Sequence, residues 1–548
     1  MQKLFHVSIL LFLLMVQQTR SNPQNQGENN FTKQTVMIAV EDTISLATDL
    51  YLPQKNGPFP TILIRSPYNR AGAKGDGERL ARAGYAVVIQ DTRGKYESGG
   101  TFYPFTYERR DGLATIKWIR TQKWSNGKIA GAGGSYVGYT QWAIADQLDA
   151  MTPLLTSANM YDLLYPSGIF SLATAFNWGL VVNSRTGVAI KPEKIIKSYS
   201  ILPLSVADDS TAKQNDFTDD WLAHPYEDAY WGAMNHRSAE ICPMYAVAGW
   251  YDIFLLAQIR DFIKQGARRH PDSRLVIGPY AHGKVAVELD FDNKEKLYFN
   301  NDMLGYFLSK QLGHGDVAAP KNYPQKTFSL FIMQRNEWIE CDHWPPEKTV
   351  AMPYYFNTDG KMAPKTDTVR DVIEYTYDPN DPFPSIGGAY LGVGVGPALQ
   401  NPNIDRKDQA AFESEPLDKP LVLLGPIDAA IYVSTDAPCT DFFVSLQDID
   451  ADGKILNIQE GGKTVYSDDT ATPRLQTADV SLWATGYQIN AGHKIRVVVS
   501  SSLFPRYNRN LNSGEPIFQA QHPRIAHQKI YFGKKYPSHI RMPVLDID

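Results

Sequence analysis

Lys128-Ile129-Ala130-Gly131-Ala132-Gly133-Gly134-Ser135-Tyr136-Val137-Gly138, followed by Tyr139-Thr140-Gln141-Trp142-Ala143-Ile144-Ala145, reads as a buried strand, a glycine-crowded turn with one serine, and a helix. A serine on so sharp a strand-to-helix bend points its hydroxyl out of the sheet, where it can act as a nucleophile. Side chains flanking it would clash in the turn and block an approaching substrate, so glycines are required there. Ser135 is therefore the candidate nucleophile. The usual spelling of this elbow is G-x-S-x-G, whereas Gly133 to Gly138 puts the second glycine one residue late.

Working outward, Thr61 to Ile64 and Tyr85 to Gln90 are apolar runs of strand type, and Asp111 to Gln122 carries Leu113, Ile116 and Ile119 at helical spacing. The alternation predicts an α/β fold, a parallel sheet with helices on both faces, over residues 35–150. It resumes over 242–319 with the strands Met244 to Ala248 and Leu275 to Ile277. Between them, residues 151–241 are rich in aromatics without strand alternation and read as a mostly helical cap inserted over the site. From 320 to 548 short strands bounded by Gly, Pro, Asp and Asn predict a β-sandwich of jelly-roll type, with Thr327 to Met333 as its first example.

A serine hydrolase of the α/β-hydrolase type needs an acid and a histidine after the nucleophile, each just past a strand end. Asp252 follows the strand Met244 to Ala248 in Gly249-Trp250-Tyr251-Asp252, and His282 follows Leu275 to Ile277 in Gly278-Pro279-Tyr280-Ala281-His282. Taken singly, each has an ordinary structural reading as a turn serine, a helix-capping aspartate or a packed histidine. Three required residue types in the required order at three strand ends outweigh those readings.

The chain has 548 residues, 43 % of them hydrophobic, enough for more than one core. A net charge of −5 leaves no electrostatic footprint for nucleic acid, and no run of one sign suggests a polybasic membrane patch. Lys3, the apolar run Phe5 to Val16 and the polar segment after it have the order of a secretory signal peptide over residues 1–22, too short to span a bilayer. The expected location is secreted or periplasmic. Cys242, Cys341 and Cys439 are too few and too widely spaced for a disulfide framework, and they leave open whether one pair is joined. Cys341 and His343 lack a second pair at metal-ligand spacing, so no metal is expected. Asp448 to Gly453 opens like a calcium loop but has Gln459 at the twelfth place, and reads better as an Asp-Gly hairpin tip.

The chain resembles the cocaine-esterase and X-Pro dipeptidyl-peptidase type of acyl hydrolase, which also includes α-amino-acid ester hydrolases. The resemblance rests on G-x-S-Y-x-G at Gly133 to Gly138, Arg65-Ser66-Pro67-Tyr68, Asp91-Thr92-Arg93-Gly94, Gly249 to Asp252, Ile277 to His282, Asn336-Glu337-Trp338, Gly387-Gly388 and Gly492 to Arg496. It implies that the Tyr68 hydroxyl and the Tyr136 backbone N–H form the oxyanion hole. It implies acyl transfer through Ser135 without a metal or organic cofactor. The expected partner is a small ester or amide, and the chain admits assembly into a homo-oligomer. In α-amino-ester hydrolases acidic residues just after the triad aspartate help bind the substrate's ammonium. Ile253, Phe254 and Leu255 stand there, and apolar groups cannot stabilise a desolvated ammonium, although Asp162 or Glu227 of the cap could take that part. The readings to be separated are an ester hydrolase, an X-Pro dipeptidyl-peptidase or amino-ester hydrolase, and a glycan- or partner-binding protein with a vestigial site.

Overall fold

The computed structural model describes residues 30–546 apart from 188–189, 212–215, 238–240, 267–268, 367, 468–469 and 472. The segment read as a signal peptide lies outside the described residues.

Ten strands form the hydrolase sheet: β1 (Phe31–Glu41), β2 (Ile44–Pro53), β3 (Phe59–Ser66), β4 (Ala86–Asp91), β5 (Ser125–Gly134), β6 (Ala150–Leu154), β7 (Tyr245–Tyr251), β8 (Arg274–Ala281), β10 (Phe328–Ile332) and β11 (Glu337–Cys341), with the short β9 (Gly283–Val285) outside it. Their order is β1-β2-β4-β3-β5-β6-β7-β8-β10-β11. The pairs from β4 through β10 are parallel and the outer pairs antiparallel. Continuous apolar runs suit strands covered on both faces, and β3, β4 and β7 are buried along their whole length. Helices α1 (Lys74–Arg82), α2 (Glu108–Arg120) and α3 (Tyr136–Trp142) alternate with them.

Between β6 and β7 the described chain is helical: α4 (Tyr161–Leu164), α5 (Leu172–Val182), α6 (Pro192–Ser198), α7 (Asp216–Ala223) and α8 (Ala229–Gly232). These pack through aromatics onto the elbow helix, with Trp178 stacked on Phe105 at 5.3 Å and on Tyr136 at 5.8 Å between ring centroids. After β7 come α9 (Leu255–Asp261) and, after β8, α10 (Asn301–Leu312). Among the described residues no helix is long and apolar enough to cross a membrane.

One assignment differs from expectation. Thr327 to Met333, read from sequence as the first sandwich strand, pairs in parallel with β8 and belongs to the hydrolase sheet, which therefore extends to Cys341. A short apolar strand bounded by turn residues has the same local pattern in either place, and the non-local pairing decides.

Beyond it two antiparallel sheets face each other. One is built on the long strand Leu421–Thr435 and the other on Cys439–Ile449, and Phe356 of the first stacks on Phe412 of the second at 4.1 Å. The segment at Asp448 to Gly453 is a hairpin turn, closed by Asp450 and Lys454, with Gly453 at φ 78°. Cys242, Cys341 and Cys439 are all free thiols.

Candidate active site

The bend at Ser135 is written in its backbone, φ 56° and ψ −128°, a conformation that persists only where the surroundings over-determine it. Those surroundings are the end of β6 and the residues just after it: Ser135 N–H donates to the Leu154 carbonyl at 2.9 Å, and Thr156 Oγ1 donates to the Ser135 carbonyl at 2.8 Å. A Cβ on Gly133, which sits at φ 130°, would lie 2.4 Å from Val137 Cγ1. A Cβ on Gly138 would lie 2.5 Å from Thr156 Cγ2. The late glycine is thus explained, since it lets α3 approach the threonine that anchors the elbow, while Val137 fills the space over Gly133.

β7 and β8 end side by side and deliver the other two groups. His282 Nε2 lies 3.0 Å from Ser135 Oγ, and His282 Nδ1 lies 2.7 Å from Asp252 Oδ2. Asp252 is fully buried, and its second oxygen accepts the Phe254 N–H at 2.9 Å, which fixes the carboxylate plane. With a carboxylate at Nδ1 the imidazole carries its hydrogen there, leaving Nε2 to accept the serine proton. The three side chains expected to converge do so in one chain.

Tyr68 follows β3 at the same sheet edge, its hydroxyl within hydrogen-bonding reach of Ser135. Trp178 Nε1 donates to that hydroxyl at 2.8 Å, so the phenol's own hydrogen is not spent on the indole. Burial pushes the Tyr68 phenol up to about 12, which keeps it a donor at ordinary pH. Tyr136 opens α3, where the backbone N–H has no carbonyl partner within the helix. Its side chain points away into a buried network, donating to Glu108 at 2.7 Å and accepting the Phe105 N–H at 2.9 Å, with Arg65 3.0 Å from the same Glu108.

Two spaces meet at Ser135. The first, of about 440 Å³, lies beneath the cap and is walled by Phe105, Tyr139, Leu163, Trp221, Phe254 and Leu391 among others. Among the described residues no carboxylate lines it. Asp162 is tied to Arg237 and to Arg260, the latter at 2.8 Å, and Glu227 accepts from Asn159 at 2.7 Å. Neither cap acid reaches the site. The second space runs from Ser135 between α1 and α10.

Other motif residues build the frame. Asp91 meets Arg70 at 2.5 Å, and Arg93 grips Asp111 through both carboxylate oxygens. His493 pairs with Asp448 at 2.8 Å in the sandwich. Among the described residues no cluster of three or more His, Cys, Asp or Glu side chains could hold a metal ion. Sequence reasoning covered Trp178 only within the aromatic-rich stretch 151–241 read as the cap, and missed Leu391 altogether. Nothing local marks Leu391, because it reaches the site on a loop more than a hundred residues downstream of His282.

Residues 42–284 match the family model described as X-Pro dipeptidyl-peptidase (S15 family), and residues 321–541 match that of the X-Pro dipeptidyl-peptidase C-terminal non-catalytic domain. The cocaine esterase of Rhodococcus sp. (strain MB1 Bresler) is 30 % identical over 570 residues, covering 93 % of this chain and 98 % of the relative. A putative serine esterase of Mycobacterium tuberculosis (strain CDC 1551 / Oshkosh) is 24 % identical, covering 93 % and 94 %. Among solved structures, an aminopeptidase from the marine sediment archaeon Thaumarchaeota archaeon superposes with a TM-score of 0.80 at 21 % identity, over 96 % of this chain and 99 % of that one. An α-amino acid ester hydrolase does so at 0.78 and 23 %, over 96 % and 100 %. These two likenesses are ones of fold.

Proposed function

Because the chain belongs to the X-Pro dipeptidyl-peptidase (S15) and cocaine-esterase family of serine hydrolases, we propose that it hydrolyses uncharged carboxylic esters through an acyl-enzyme on Ser135. His282 Nε2 takes the Ser135 proton as Oγ bonds to the carbonyl carbon, and the carbonyl electron pair moves onto oxygen. The Tyr68 hydroxyl and Tyr136 N–H bind that oxyanion. Collapse breaks the bond to the leaving oxygen, which receives the proton from His282, and water activated by His282 then releases the acid. The N-terminal pattern from Lys3 to Val16 supports export.

The observation that carries the choice of ester over amino-ester or X-Pro peptide is the pocket beneath the cap. Its described lining has no carboxylate other than the histidine-bound Asp252 behind it to pair with a substrate's ammonium, and a buried cation without a partner is strongly disfavoured. The test compares p-nitrophenyl esters with aminoacyl and X-Pro anilides on wild type and Ser135→Ala. Ester turnover lost in the variant, with little anilide turnover, supports the reading. Faster cleavage of X-Pro anilides replaces it with the peptidase, and no serine-dependent turnover of either class leaves the vestigial site.

A further inference from the structure

The second space at Ser135 is larger than the one beneath the cap, about 1290 Å³, and it is of different construction. Its floor is the sheet at Ala132 and Leu154, and its sides are α1 through Leu80 and α10 through Leu304, Gly305 and Leu308. Ser135, Tyr68 and His282 stand at its inner end. At its outer end Arg79 pairs with Asp76 at 2.9 Å, a neutralised pair in contact with solvent. α10 leaves the space open where it carries a glycine: Gly305 lines it beside Leu304 and Leu308, and a Cβ built on Gly305 meets nothing within 4 Å.

A tetrahedral centre on Ser135 carries two substrate substituents besides the two oxygens of attack and charge, so a single pocket houses half the substrate. The cap pocket is compact and aromatic. The groove between α1 and α10 is roomier and lined mainly by aliphatic side chains, among them Ile64, Leu80, Val137, Leu154, Leu304 and Leu308. We infer that this groove is a second substrate subsite that takes an unbranched alkyl chain of the ester, with the other substituent beneath the cap. The inference rests on the esterase reading and names the substrate class of that same site.

Each methylene moved from water into such a groove strengthens binding about fourfold. The experiment measures kcat/KM for two pairs of esters: p-nitrophenyl acetate and octanoate, with the chain on the acyl side, and methyl and octyl benzoate, with the chain on the alcohol side. Wild type is compared with Gly305→Leu and Gly305→Phe, whose side chains enter open space. In one arm the wild-type ratio of long to short ester is expected to exceed unity, and that arm identifies which side of the bond the groove serves. Displacing two methylenes lowers that ratio by about fifteenfold in Gly305→Phe, with a smaller fall in Gly305→Leu. The ratio reads the groove whatever happens to total activity, and the leucine variant serves if phenylalanine disturbs folding. A ratio unchanged by both variants in both arms, or no preference for the long ester in wild type, overturns the inference while leaving serine-dependent ester turnover intact. No serine-dependent turnover at all overturns the esterase reading with it.

Discussion

Tyr68 has one lone pair taken by the Trp178 indole N–H and a hydrogen not spent on the indole. That arrangement ties the cap to the oxyanion site through a single hydrogen bond. Losing one oxyanion donor typically costs about a hundredfold to a thousandfold in turnover. Tyr68→Phe is therefore expected to lower kcat on an ester by that order with little change in KM. Trp178→Phe, which keeps the ring but removes the N–H, is expected to lower kcat by a smaller factor. With the phenol lifted to about 12, its protonated form persists through the working range. The Tyr68→Phe deficit is then expected to be the same at neutral pH and at about pH 10; steady-state rates at both pH values check this, and a deficit that vanishes in alkali contradicts it. At this scale the sequence was legible where chemistry demands a residue type, at Ser135, Asp252 and His282, whereas Tyr68 was named only through the family resemblance. It was not legible at Trp178, because an indole serving as hydrogen-bond donor to a phenol has no sequence pattern distinct from an aromatic in a core.

The cap buries a carboxyl in the segment between α6 and α7. Asp208 is fully buried, one carboxylate oxygen lacks a hydrogen-bond partner among the described residues, and burial with the nearby charge of Asp219 on α7 pushes its carboxyl up to about 7. A carboxyl whose folded value is raised favours the fold when protonated, so its contribution is full below the unfolded value of about 4 and fades as pH rises to about 7. Asp208→Asn removes the titration. Thermal unfolding near pH 8 is expected to show the variant melting above wild type, with the gap narrowing near pH 5; parallel behaviour at both pH values contradicts it. Elements were legible as types wherever apolar periodicity ran long enough, as in β3, β4 and α2. The strand Thr327 to Met333 was placed in the wrong sheet, because its partner β8 lies some fifty residues earlier and five apolar residues say nothing of whom they pair with.

Across the whole molecule, the C-terminal part is stitched to the catalytic loops. The strand Gly392–Val395 pairs in parallel with β9 immediately after His282, aligning Gly392 with Gly283. Gln459 of the sandwich donates to the Trp250 carbonyl at 2.6 Å, two residues before Asp252. A Cβ on Gly283 would lie 2.2 Å from the Gly392 carbonyl oxygen, so Gly283→Ala must push the histidine loop and the strand Gly392–Val395 apart. A displacement of about 1 Å at such a site costs on the order of a hundredfold in rate. Gly283→Ala is expected to lose kcat to that extent while still folding cooperatively, and unaltered kcat would show that the contact does not position His282. No sequence pattern announced this interlock, since it joins Gly283 to Gly392 through backbone atoms alone. The claim on which everything else depends is that Ser135, Asp252 and His282, spread over three strand ends, act together to make one nucleophile. The most direct measurement is intact-mass and peptide-mapping analysis after treatment with a fluorophosphonate. One covalent equivalent on Ser135, absent from Ser135→Ala and formed far more slowly in His282→Ala, is the expected result. Labelling on another residue, or at an undiminished rate without His282, contradicts it.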